Sequence, residues 1–317
     1  MTNARRPRAV GRRRAFDTVP PQLRAWVEHE LGSHVIGATT QVGGMSPGPA
    51  ARLVLEDGTR AFIKAVSGDP NPQTPALFRH EVAVLGRLPA VSYRPAVLAT
   101  YDDGEWVALL LDDVEGRHPD LDVSRELDAV REVVRDQSLT LTASDIGVAT
   151  EDVPGRIFRW HRSISLAEDS MRVGLPEWWV REELSVMARI ASLAERVGNE
   201  AWCHFDVRDD NLLVRADGRA VVLDWGMSCA GPSWVDEVLL DLHSVATPEF
   251  DRLVEARPAY DDSGDLETDV TDFLLALGSS LAVAAQGPAP QGLPWISDFR
   301  RTEARRILEG ARRRLGL

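Results

Sequence analysis

The sequence predicts an α+β chain of two lobes: a small antiparallel-sheet N-lobe and a larger, mainly helical C-lobe. Three observations carry this. Short Val- and Ile-rich runs punctuated by Gly, Pro and Asp fill the early part of the chain, the pattern of an antiparallel meander. Segments of helical period dominate after Asp112. The chain has 317 residues, 44% hydrophobic and 27% charged, which is room and composition for two packed lobes and not for a disordered or fibrous chain. The divisions expected are a basic flexible arm (1–15), an N-terminal lobe (16–112) and a C-terminal lobe (113–317), joined near residues 110–116.

The elements follow in chain order. Six arginines and no acid occupy the first 14 positions, without periodicity. A mobile, solvated arm is expected there in preference to a contact for RNA or anionic lipid. Residues 21–31 read as a short helix. Strands are expected over 34–42, 51–58 and 59–66, with the turn 43–49 between the first two. A Pro-rich loop comes next. Thr74 is placed as the cap of a helix over 76–88, with Pro75 at its first position and Leu77, Val84, Leu85 and Leu88 near one face. Strands at Arg94–Ala99 and Glu105–Leu111 close the sheet. Helices are then expected over 124–136, 155–167, 177–197, 233–246, 268–285 and 298–315, interrupted by a β segment from Ala201 to Trp225. Trp178, Trp179, Trp202 and Trp234 fall at core spacing rather than as ligand platforms.

Composition excludes several classes. The longest apolar run, Phe273–Ala285, is broken by Gly278, Ser279 and Ser280, short of the roughly 20 residues a bilayer needs, so no membrane partner is expected. No apolar segment follows the basic start, so no secretory signal is expected. Two cysteines, Cys203 and Cys229, make neither a disulfide framework nor a zinc site, and a reducing, cytoplasmic setting is expected. The net charge is −13, and −19 without the six arginines of the arm. Such a body repels nucleic acid, the arm excepted. Of the 36 basic residues only Lys64 is a lysine, which either marks a position where a compact ammonium suits and a flat guanidinium does not or is an accident of a lysine-poor composition.

The chemistry concentrates in His204-Phe205-Asp206-Val207-Arg208-Asp209-Asp210-Asn211 and in Asp224-Trp225-Gly226. Apolar runs at 211–214 and 220–224 flank a turn containing Asp217-Gly218, a hairpin signal. Pairing Arg215 with Ala220 sets Asn211 opposite Asp224 at the open end of the ladder, with Asp206 in the loop leading to it. Magnesium takes one or two carboxylates together with phosphate oxygens and water, which Asn211 and Asp224 suit. Asp206, just off the metal, is placed to accept a proton from an attacking hydroxyl.

These residues, H-x-D-x(4)-N followed by D-W-G, resemble the aminoglycoside phosphotransferase family, protein-kinase-like small-molecule kinases. The upstream elements agree. Lys64 lies in the strand Phe62-Ile63-Lys64-Ala65-Val66, Glu81 follows in the next helix, and Leu109–Val114 resembles the hinge that holds the adenine. The resemblance runs from about residue 35 to 245 and implies a bilobal protein-kinase-like fold with ATP and Mg2+ as cofactors. It implies that Asp206 orients and deprotonates the acceptor hydroxyl and that Asn211 and Asp224 hold the metal. Lys64 would bind the α- and β-phosphates, Glu81 would fix its ammonium, and Gly44, Ser46, Asp112 and Val114 would line the nucleotide site. The loop carrying Gly44 and Ser46 departs from the family's glycine-rich pattern, because Pro47 and Pro49 remove backbone donors. Phe205 stands where these kinases often carry arginine or glycine and reads as packing. Arg208 either neutralises the transferring phosphoryl group or makes a surface salt bridge. His204 reads as a buttress of the loop, Asp209 and Asp210 as solvated residues or, for one of them, a contact for a cationic substrate, and Asp236 as a brace of the loop or a helix cap.

Only residues 225–232 separate Asp224 from the next expected helix, short for a peptide platform, so the acceptor expected is a hydroxyl of a small molecule. Residues 236–272 hold 12 acids and two arginines, which suits a cationic antibiotic such as an aminoglycoside or else forms a solvated acidic face. Choline, homoserine, a sugar or a macrolide are alternative acceptors. A non-catalytic kinase-like binding module is the remaining reading, and the complete set Lys64, Glu81, Asp206, Asn211 and Asp224 speaks against it.

Overall fold

The structure, a computed structural model, describes residues 11, 13–42, 44, 46, 48–69, 71–257 and 265–317. A 3-10 turn (Phe16–Thr18) and α1 (Pro21–Leu31) lead into β1 (Val35–Thr40), β2 (Ala50–Leu55) and β3 (Arg60–Ser67). Then come α2 (Thr74–Leu85), β4 (Val97–Asp102) and β5 (Trp106–Asp112). These five strands form one sheet in the order β1-β2-β3-β5-β4, every pair antiparallel. Alternation along β3 decides what each face carries. Ala61, Ile63 and Ala65 join Leu23, Val27, Leu53 and Leu110 under α1. Lys64 and Val66 point the other way, toward α2, where Phe78, Val84 and Leu85 pack on Val66, Val107 and Leu109.

Two local expectations are corrected here. Thr74 is the first residue of α2 and not its cap; Gln73 is the N-cap and makes no side-chain cap bond. Leu77 is exposed and Phe78 takes the buried line. The buried positions are 74, 75, 78, 81, 84 and 85, so the line includes Glu81, a residue that an apolar pattern discounts. β4 starts at Val97, later than expected, because Pro95 offers no amide to the ladder.

The second lobe contains α3 (Ser124–Thr140), α4 (Ala143–Ile146), α5 (Val153–Ser165), α6 (Asp169–Arg172), α7 (Glu177–Arg181) and α8 (Glu183–Arg196). Next are β6 (Ala201–Cys203), β7 (Leu212–Val214), β8 (Ala220–Val222), β9 (Cys229–Gly231), α9 (Val235–Asp241), α10 (Pro248–Glu255), α11 (Leu266–Ala284) and α12 (Ile296–Arg314). The helix expected over 177–197 is two, α7 and α8, and α10 falls in a stretch where none was expected. One apolar core runs from α2 through α3, α5, α8, α9, α11 and α12, with Trp179, Trp202 and Trp234 fully buried in it. Among the described residues no helix is long and apolar enough to cross a membrane. Cys203 and Cys229 face each other on β6 and β9, buried and free.

The β7–β8 register is one residue off the expected one. Val214 pairs with Ala220 and Leu212 with Val222, and the Leu223 amide donates to the Asn211 carbonyl (2.8 Å). Gly218, at φ +87°, closes a three-residue loop between Arg215 and Arg219, where four residues were counted. Asn211 therefore sits opposite Leu223, and Asp224 lies one step beyond.

α9 holds the loop after β6. Asp236, buried at its first turn, accepts from the backbone N–H of His204 (2.6 Å) and Phe205 (2.8 Å) and from Gln137 Nε2 on α3 (2.9 Å). Phe205 takes φ +61°, a strained value for a ring-bearing residue. Asp236 fixes its amide, while Arg156 lies 4.4 Å over its ring and Trp160 stacks at 6.2 Å, which offsets the strain.

Of the arm expected over 1–15, residues 1–10 and 12 lie outside the described residues. Gly11 is buried and Arg14 pairs with Asp69 (2.8 Å), so this end of it packs on the protein.

Gly218→Ala should lower stability by about 1 kcal/mol through left-handed strain; an unchanged thermal melt would show that the loop does not depend on that conformation. Asp236→Ala leaves two buried backbone donors and the Gln137 amide without this acceptor. A loss of about 3 kcal/mol or more is expected in denaturant unfolding, and a wild-type midpoint would contradict the bracing role.

Candidate active site

β3 and α2 bring Lys64 and Glu81 together because the strand's pleat and the helix's buried line face each other. Lys64 Nζ lies 2.6 Å from Glu81 Oε1 and 2.5 Å from Oε2. From the other lobe Asp224 Oδ1 approaches the same nitrogen at 3.1 Å, and the Trp225 N–H donates to Glu81 Oε1 (3.1 Å). A second strut between the lobes is His80 Nε2 on the Ser228 carbonyl (2.8 Å). Burial alone would pull the Lys64 ammonium below the ordinary lysine value; Asp224 and Glu81 outweigh it and hold it above. Asp224 is subject to burial too, but Lys64 and Arg13 draw its carboxyl below the usual range.

Asp224 is itself left-handed (φ +64°), placed just after β8, and its side chain is 49% exposed. Across from it, Asn211 Nδ2 donates to both the carbonyl (2.9 Å) and Oδ2 (2.8 Å) of Asp206. Burial pushes Asp206 above the ordinary carboxyl value against the pull of Arg208. His204 is buried, its Nε2 2.8 Å from the Leu223 carbonyl and its Nδ1 accepting from the Asp206 N–H (3.3 Å). Both bonds are satisfied by the Nε2–H tautomer, so the ring ties the loop to the strand before Asp224.

Arg208 is no surface ion pair. It is buried, forks onto Asp210 (3.0 and 2.8 Å), lies 3.5 Å from Asp206 Oδ1 and stands 5.3 Å over the Phe299 ring of α12. Asp209 and Asp210, expected as solvated, are half-buried in a 3-10 turn.

At the lobe junction a cavity of 370 Å³ lies between Asp112–Glu115 and Arg215–Asp217. Val114, Leu213 and Val221 form an apolar patch beside it with Leu223. The Asp112 N–H is committed to the Ala96 carbonyl (3.0 Å), and the Val114 carbonyl accepts from Arg52 (3.1 Å). Neighbouring Asp113, buried, pairs with Arg60 (2.6 Å) and fixes the hinge to the sheet. Gly44 is left-handed (φ +86°), and Ser46 Oγ accepts from the Gly48 N–H (3.3 Å); residues 43, 45 and 47 of that loop lie outside the described ones.

Among its described residues the acidic stretch 236–272 is largely paired, and Asp251, Glu255 and Glu267 line an open cavity of 510 Å³ that Arg189 and Arg314 share. Arginines from other elements occupy much of the stretch. Asp241 takes Arg131 (2.8 Å) and Arg257, Asp251 takes Arg313 (2.6 Å), Asp269 takes Arg196 (2.6 Å), and Asp272 takes Arg189 (2.6 Å) and Arg196. Asp265 caps α11 through the Thr268 amide (3.2 Å). Tyr260, Asp261 and Asp262 lie outside the described residues. Residues that sequence reasoning passed over are Arg156, Asp113, Phe299 and Arg13. Each acts through a partner distant in sequence, and no local pattern marks it.

Among the described residues no group of three or more His, Cys, Asp or Glu could hold a metal ion. An oxygen site built from one half-exposed carboxylate and one carboxamide fits a cation that takes its other ligands from phosphate and water.

The profile of the phosphotransferase enzyme family, APH, matches residues 49–262. No curated protein sequence matches the chain. Solved structures share its fold at low identity. An aminoglycoside phosphotransferase from Alicyclobacillus acidocaldarius is 10% identical over 94% of this chain and 96% of its own, with a TM-score of 0.54. The choline kinase LicA from Streptococcus pneumoniae is 15% identical over 92% and 99%, TM-score 0.58. A thermostable mutant of aminoglycoside phosphotransferase APH(4)-Ia, in ternary complex with ADP and hygromycin B, is 12% identical over 90% and 98%, TM-score 0.57. The fold is therefore bilobal and kinase-like, and the chain, matched by the family over more than half its length, belongs to the APH family of phosphotransferase enzymes.

Proposed function

We propose that the chain transfers the γ-phosphoryl group of ATP to a hydroxyl of a small molecule. The observation that carries this is the Lys64 ammonium gripped at once by Glu81 of one lobe and Asp224 of the other, beside the Asp206–Asn211 pair. Phosphoryl transfer asks a protein mainly for positioning and for neutralisation of oxygens, and these groups supply both. The adenine has room in the junction cavity against Val114 and Leu213, beside Asp112. Lys64, kept charged, meets the α- and β-phosphates, and Glu81 holds it still. Gly44 and Ser46 belong to the loop above the phosphates. Asp206 orients the acceptor hydroxyl and takes its proton, with Asn211 fixing its carboxyl. Arg208 keeps Asp206 and Asp210 in place and lends positive field to the transferring group. Asn211 and Asp224 would hold magnesium, which supplies charge neutralisation on the phosphate oxygens when bound.

Residues 225–234 are all that separate Asp224 from α9, which leaves no long platform for a peptide and favours a small acceptor. The finer reading, a cationic acceptor such as an aminoglycoside, draws support from the net charge of −13 and from the hygromycin B held by one structural neighbour. A cytoplasmic enzyme is in keeping with two free thiols.

The test is ADP release from ATP and magnesium with a panel of aminoglycosides, choline, homoserine, sugars and macrolides. Acceptor-dependent release is expected, and neither binding of nucleotide nor turnover with any acceptor would refute the reading. Asp206→Ala should lower kcat about 10²–10⁴-fold while ATP affinity holds within a few-fold; an unchanged kcat removes the assignment. Lys64→Met should weaken ATP binding about tenfold or more, and wild-type affinity would contradict its role.

A further inference from the structure

The loop between β1 and β2 is poor in donors for phosphate. Pro47 and Pro49 have no N–H, and the Gly48 N–H is already given to Ser46 Oγ (3.3 Å). A cation reaches this loop from outside the lobe's sheet. The guanidinium of Arg13 lies against Gly44 so closely that a Cβ there would stand 1.9 Å from Nη2 and 2.9 Å from Cζ. The segment around it spans the cleft. A Cβ on Gly11 would lie 2.6 Å from the Gly44 carbonyl and 3.7 Å from the indole of Trp295, at the start of α12 in the other lobe. Arg14 pins the segment to Asp69 (2.8 Å).

We propose that Arg13 is a phosphate-binding residue, supplied to the nucleotide site by the N-terminal segment in place of the amide donors the loop lacks. This rests on the phosphotransferase reading above. Arg13 is half-buried and its charge acts on Asp224 and Asp210, the carboxylates on the floor of the cleft. It thus lies against the loop and within electrostatic reach of Asp224, one of the two residues that would hold the metal. A guanidinium is a fixed planar fork that matches two phosphate oxygens, and it stays charged when partly buried. Gly44 is what lets it approach. A group that simply plugged the site would fill the space for the base, yet the 370 Å³ junction cavity stays open with Arg13 in place.

The experiment compares the wild type with R13A, R13K and G44A in equilibrium binding of AMP-PNP with magnesium and of adenosine. R13A is expected to weaken AMP-PNP about 10- to 100-fold and leave adenosine within about twofold. R13K, which keeps the charge and loses the fork, should fall between. G44A pushes the flexible end of the guanidinium aside and strains the loop at φ +86°, so a loss of AMP-PNP affinity no greater than that of R13A is expected, with adenosine again spared. Equal weakening of both ligands would mean a merely structural contact and overturns the proposal. So does R13A binding AMP-PNP as tightly as the wild type, or more tightly with faster turnover, the mark of a blocking cation. If the wild type itself binds neither ligand, the phosphotransferase reading of the site fails first and takes this one with it.

Discussion

One buried ammonium ties the two lobes together. Lys64 takes a carboxylate from each side, and removing three charges from water is favourable only because each meets an opposite charge at hydrogen-bond distance. Two carboxylates on one ammonium still leave a negative balance. Arg13 reduces it from above.

Around that ion cluster the backbone is held in forms it would not choose. Phe205 and Asp224 are the two non-glycine residues with positive φ among the described ones, and they flank the site. Strain of this kind persists where neighbours over-determine it. Asp236 grips the first through its amide and ring packing surrounds it. At the second, His204 holds the Leu223 carbonyl and Lys64 holds the side chain. A core carboxylate and a core imidazole therefore shape a loop that neither contacts from the solvent side.

Part of this arrangement is legible in the sequence. Hairpin spacing brings Asn211 near Asp224 with Asp206 in the loop before them, the family resemblance pairs Lys64 with Glu81, and the structure brings Lys64, Glu81 and Asp224 into contact and Asp206 onto Asn211. What local spacing misreads has physical causes. The hairpin register slipped by one because Gly218 closes a shorter loop than the apolar runs suggest. The line of α2 was drawn through Leu77 because a buried glutamate breaks an apolar pattern. The described acids of 236–272 read as free because most of their arginines come from α3, α8 and α12. Arg13 is one of six arginines in 14 residues, and nothing in the run distinguishes the one that turns inward.

The scarcity of lysine has a practical corollary. Acylating reagents attack neutral amines, and the chain offers a single side-chain amine, 7% exposed and held protonated by two carboxylates. Apart from the amino terminus, amine acylation of this protein thus reports on one atom, and the extent of modification becomes a clock for how often the cleft loosens its ion pair.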